Sequence, residues 1–112
     1  MLIDTKDYTP KLLEAVGELG KEAPALLQGY QALDGAAAKG GVLDAKVREL
    51  ISLAVAVTTR CDGCITVHSA AAQRAGASRA EVAEALSVAI AMNAGAALVY
   101  SARALDAFGQ QG

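Results

Sequence analysis

The chain has 112 residues, 26 of them alanine, with 54% hydrophobic, 20% charged and 4% aromatic residues and a formal net charge of −2. Alanine is the best helix former and strand-favouring β-branched and aromatic residues are sparse, so the composition excludes an all-β fold and points to one all-helical domain over 1–112. Ten basic against twelve acidic residues, scattered without runs, give no stripe to neutralise a phosphate backbone and argue against nucleic acid as a partner.

In chain order, Thr9 followed by Pro10 reads as an N-cap with proline at the first helical position, and Leu12, Leu13, Val16 and Leu19 keep helical spacing up to Gly20. A second helix begins near Pro24, carries Leu26, Leu27, Tyr30, Leu33 and Ala37 on one face, and stops by Gly40-Gly41. Asp44 caps a third helix, about 45–58, whose residues after Arg48 are apolar on nearly every side, which places it at the centre of the fold. A fourth is expected over 62–75, closed by Gly76. Ser78-Arg79-Ala80-Glu81 forms a capping box that opens a fifth with Val82, Leu86, Ala89 and Ile90 on one face. Asn93-Ala94-Gly95 predicts a break before a sixth helix with Leu98, Val99, Ala102, Leu105 and Phe108. The stretch from Ala85 to Ala102 is uncharged for eighteen residues, but its Ser, Asn and Gly favour a buried helix pair over a membrane span. Alanine supplies little apolar area per residue, so a core this light predicts assembly into an oligomer. The start is charged from Asp4 onward and lacks the zones of a secretory signal, which predicts a cytoplasmic protein.

The chemistry concentrates in Cys61-Asp62-Gly63-Cys64-Ile65-Thr66-Val67-His68. In a reducing compartment, two thiols three residues apart suggest redox or metal chemistry more than a structural staple. At about 100° per helical residue, positions 61, 64 and 68 fall within roughly 60° on one face. Cys64 and His68 are also an i, i+4 pair, one turn apart. A thiol beside a base near a helix N-terminus is the setting that yields a reactive thiolate. Glu49 shares its helical face with Leu53 and Ala56, so its carboxylate is expected to point inward and to need a partner. If the third and fourth helices fold back near Thr59, Glu49, ten residues before it, and His68, nine after it, come level. A relay follows in which Glu49 orients His68, His68 activates a cysteine, and the other cysteine completes a disulfide. The same four residues could instead bind a metal, although structural zinc sites usually draw their ligands from two separated knuckles.

The order Glu, eleven residues, Cys, two residues, Cys, three residues, His, carried by Glu49, Cys61, Cys64 and His68, resembles the carboxymuconolactone decarboxylase-like superfamily and within it the AhpD-like alkylhydroperoxidase group. The stretches 43–51 and 75–82 agree with it, and the resemblance covers a core of residues 22–108. It implies an all-α AhpD-like bundle, assembled as a trimer or hexamer, that reduces a peroxide through a reversible disulfide. By this resemblance Cys64 matches the peroxidatic cysteine, Cys61 the resolving one, and Glu49 and His68 the proton relay. No bound cofactor or metal is implied; the electrons come from an external dithiol or redox protein. Gly63 departs from the pattern, since well-known peroxidases of the group carry a histidine there, which bears on peroxidase efficiency and leaves disulfide exchange intact. The alternatives are a lactone decarboxylase, the activity that names the superfamily, and a non-catalytic oligomeric redox or metal-binding protein.

Overall fold

Asp4, rather than Thr9, starts the first helix. The computed structural model describes residues 1–112 and holds five α-helices and no strand: α1 (Thr5–Glu22), α2 (Pro24–Lys39), α3 (Ala45–Thr59), α4 (Asp62–Arg74) and α5 (Arg79–Gly109). The Asp4 carboxylate accepts the backbone N–H groups of Lys6 and Asp7 at 3.2 and 3.3 Å, satisfying two of the four donors a helix start leaves free. Pro10 then falls inside α1, where its missing N–H denies one bond to the carbonyl of exposed Lys6.

The other helix starts follow the sequence signals. Pro24 opens α2, Asp44 caps α3 by accepting Val47 N–H at 2.9 Å, and Ser78 and Glu81 close both bonds of the capping box, at 3.0 and 2.9 Å. After α4, Gly76 takes φ 86°, a left-handed conformation that costs a glycine little. The expected break at Asn93-Ala94-Gly95 is absent: α5 runs unbroken for 31 residues, which reduces the expected six helices to five. Asn93 does not disrupt the helix because its amide donates to Ala89 O at 2.7 Å and to Thr58 Oγ1 of α3 at 3.0 Å. Gly95 alone costs only about 1 kcal/mol in a helix interior.

As its apolar run predicts, α3 is the hub: it packs against both α4 and α5, while α1 packs against α2 and α4. Only Leu53, Ala56, Thr66, Ala72 and Ala89 are buried. The expectation of a buried helix pair over 85–102 is corrected, because this stretch is one helix and nothing in it beyond Ala89 is buried. The helix is long and apolar enough to cross a membrane by length and composition. The accessible surface of 8647 Å² exceeds the about 5,700 Å² of a compact monomer of this mass. The radius of gyration of 18.1 Å likewise exceeds the about 13 Å of a compact chain of this length.

An ion pair fastens the start of α3 to the start of α5, with Lys46 Nζ 2.8 Å from Glu81 Oε2. The hydrogen bond from Lys46, with the Ser78 backbone N–H, lowers the Glu81 carboxyl from 4.5 to about 2. A carboxyl depressed by folding stabilises the native state above its unfolded value, and the contribution is lost as pH falls from 4.5 towards about 2. Glu81→Gln should therefore flatten this part of the decline in melting temperature between about pH 6 and about pH 3, as read by circular dichroism.

Candidate active site

The turn between α3 and α4 sets the site. Arg60 adopts φ 56°, ψ 49°, a left-handed conformation that costs a non-glycine residue about 1–2 kcal/mol, and Cys61 N–H returns to Ala56 O at 3.0 Å. So tight a reversal makes α3 and α4 antiparallel neighbours and brings Glu49 level with His68. Glu49 Oε2 lies 2.6 Å from His68 Nδ1, and both side chains are partly buried, 23% and 28% exposed. The bond fixes the ring and leaves Nε2 as its free nitrogen.

Cys61 is not on the helical face expected for it; it is the N-cap of α4, with extended backbone. Its sulfur takes the place of the usual capping oxygen, accepting the N–H of Cys64 at 3.2 Å, and the two sulfurs are 2.7 Å apart. An anion there faces the positive end of a helix. The hydrogen bonds from the Cys64 thiol and backbone lower the Cys61 pKa. The same thiol bond, followed by burial and the negative fields of Cys61 and Asp34, raises Cys64 to about 11. Of the two thiols Cys61 is therefore the readier to lose its proton and Cys64 the one that holds it, whereas the sequence favoured a thiolate beside His68. Cys64 and His68 do share a groove of about 250 Å³, walled on the α3 side by Ile51, Ser52, Val55, Ala56 and Thr59. No three His, Cys, Asp or Glu side chains converge as a metal cage.

Two residues of α2 reach the site without having been singled out in the sequence. Asp34 lines a second, smaller cavity of about 110 Å³ with Arg48, Glu49, Ser52 and His68, so the imidazole borders both spaces. One turn before it, Tyr30 has its phenol pushed up by the Asp34 carboxylate, then by burial and by the two thiols. Asp34 is the sole carboxylate of α2, standing one turn beyond a tyrosine on an otherwise Ala- and Leu-rich helix. That isolation was the available signal.

Gly63 has a structural reason. A Cβ built on it would lie 2.7 Å from Leu12 Cδ2 of α1, so a side chain between the cysteines would have to displace the end of the Leu12 side chain.

Residues 24–107 match the Carboxymuconolactone decarboxylase family. An uncharacterized protein of Haemophilus influenzae is 60% identical over 111 residues, covering 99% of this chain and 98% of its own. The uncharacterized protein 4 in the cox locus of Paracoccus denitrificans is 36% identical over 96 residues, 86% of each chain. Among solved structures, the apo crystal structure of a carboxymuconolactone decarboxylase family protein from Legionella pneumophila superposes with a TM-score of 0.74 at 39% identity, covering 95% of both chains.

Proposed function

The chain belongs to the carboxymuconolactone decarboxylase family, and from that premise we propose that it is a thiol-dependent reductase of hydroperoxides or disulfides, cycling Cys61 and Cys64 between dithiol and disulfide. The observation that carries this reading is the pair of sulfurs 2.7 Å apart, beside a histidine held by a carboxylate at 2.6 Å. Disulfide formation between them needs little movement, since a bonded pair is about 2.05 Å apart.

In the peroxide reaction Cys64 gives its proton to His68 and attacks the terminal peroxide oxygen. The S–O bond forms as the O–O bond breaks; sulfur is oxidised by two electrons, and the leaving alkoxide takes the proton back from the imidazolium as an alcohol. Glu49 holds the ring and balances its transient charge. The Cys61 thiolate then attacks the sulfenic sulfur, forming the disulfide and expelling hydroxide, which is protonated from solvent. An external dithiol or redox protein reduces the disulfide, so no bound cofactor takes part. Toward a disulfide substrate Cys61 is the readier nucleophile, because its pKa is lowered where that of Cys64 is raised. The excess accessible surface supports a homo-oligomer, and the reducing chemistry suits the cytoplasm.

Mass spectrometry after one equivalent of an organic hydroperoxide tests the reading. The expected product has lost two hydrogens, with a Cys61–Cys64 disulfide in the peptide map. An unchanged mass with intact free thiols would overturn it.

A further inference from the structure

The groove in front of Cys64 and His68 lacks a wall. On its α3 side Ile51 and Val55 are 48% and 55% exposed, continuing an i, i+4 row that begins at Val47. This chain's own α5 does not cover the row. It lies on a different face of α3, where Leu53 and Ala56 are buried and Asn93 reaches Thr58.

Beyond Asn93, α5 runs on for sixteen residues, about 24 Å, without a buried residue. This outer half carries Leu98, Ala102 and Leu105 at i, i+4, i+7, with Leu98 and Leu105 74% and 73% exposed, and it holds only one cation and one anion, Arg103 and Asp106. The α3 row from Val47 to Thr59 is about 18 Å long, so the overhang is long enough to cover it. Each chain therefore has an apolar row without a cover and an apolar helix end without a support. Two copies related by a two-fold axis satisfy both at once. The surface in excess of a compact monomer is about 2,900 Å², well above the roughly 800 Å² per partner of a stable association. A lipid surface fits the row less well, because Lys46, Arg48 and Glu49 stand beside it on the same helix and would lose water against acyl chains.

We propose that the outer half of α5 from a second copy lies along the Val47, Ile51 and Val55 row and closes the groove over Cys64 and His68, so that each thiol site takes one wall from its neighbour. This rests on the thiol reading above and extends it: the neighbour's helix sets how large a substrate reaches Cys64.

The test uses the full chain with Val47→Glu on the row and Leu105→Glu on the overhang, neither of which lines the groove of its own copy. Light scattering gives the mass, far-ultraviolet circular dichroism the helix content, and peptide mapping the alkylation of Cys64 by iodoacetamide and by a bulky polyethylene-glycol maleimide. In wild type, p-benzoylphenylalanine at position 105 should crosslink to an α3 peptide of another copy. Both variants should keep their helix content and dissociate. The bulky reagent should then reach Cys64 at least about tenfold faster, with the iodoacetamide rate little changed. Crosslinking to a different helix, or an oligomer that survives Val47→Glu, would overturn this wall while leaving the thiol reading and the oligomer intact. A wild-type monomer, free or floating with phosphatidylcholine and phosphatidylglycerol vesicles, would overturn it together with the homo-oligomer, and disulfide formation by peroxide would still report separately on the thiol reading.

Discussion

Cys64→Ser protein should react with a hydroperoxide no faster than an ordinary thiol, and Cys61→Ser protein should react once and stop with a sulfenic acid on Cys64. Both variants abolish the intramolecular disulfide, so turnover with an external dithiol falls to background. The order of events follows from position: Cys64 shares the groove with His68, while Cys61 caps α4, where its lowered pKa favours the thiolate that resolves a sulfenic acid. The Cys61→Ser protein has a second signature. Its Cys64 no longer has the hydrogen bond to the Cys61 sulfur, the largest cause of its elevation, so its alkylation midpoint should fall below the about 11 of the wild-type site. Dimedone labelling after a peroxide pulse, with iodoacetamide trapping against pH, reads both effects. Label on Cys61 in the Cys64→Ser protein and none on Cys64 in the other would reverse the roles.

Glu49→Gln should slow peroxide reduction by about 10- to 100-fold, at or below the lower bound of what a positioned acid–base group itself contributes. The amide keeps the shape of the carboxylate and a hydrogen bond to His68 Nδ1 but cannot offset the charge of the imidazolium. In the proposed relay Glu49 acts through the ring and not on substrate, so its effect should be selective: Cys64 alkylation slows while Cys61 alkylation follows the wild-type curve. A merely structural defect would move both thiols together and lower the melting temperature. Equal alkylation of Cys64 in variant and wild type would remove Glu49 from the relay.

The residues that make the Glu49–His68 pair were legible because each signal along α3 and α4 acts locally. Asp44 starts α3, Gly76 closes α4, and a short reversal in between fixes the register of two antiparallel helices. What escaped were the places where a tertiary partner changes a local preference. Asn93 ordinarily competes with helix backbone, but here its amide is held by Ala89 and by Thr58 of a different helix, and α5 continues. Thr9-Pro10 is a good start signal that lost to Asp4, five residues earlier, because a carboxylate receiving two N–H groups supports the additional turn. The proton distribution in the thiol pair was hidden for a similar reason. Helical spacing brings Cys64 to His68, but the N-cap geometry of Cys61 diverts the Cys64 thiol to the other sulfur.

The contact of Leu12 with Gly63 bears on what can stand between the two thiols. Leu12 belongs to α1, outside the 24–107 region that matches the family, yet it fills the space in which a residue between the two cysteines would grow its side chain. A side chain at position 63 would therefore meet Leu12 first. The atom in the way is the end of a flexible side chain, so a change of rotamer at Leu12, a smaller residue there or a small tilt of α1 would each make the room. The N-terminal helix, by sequence a mere extension of the domain, is thus the neighbour that shapes the space between the two thiols.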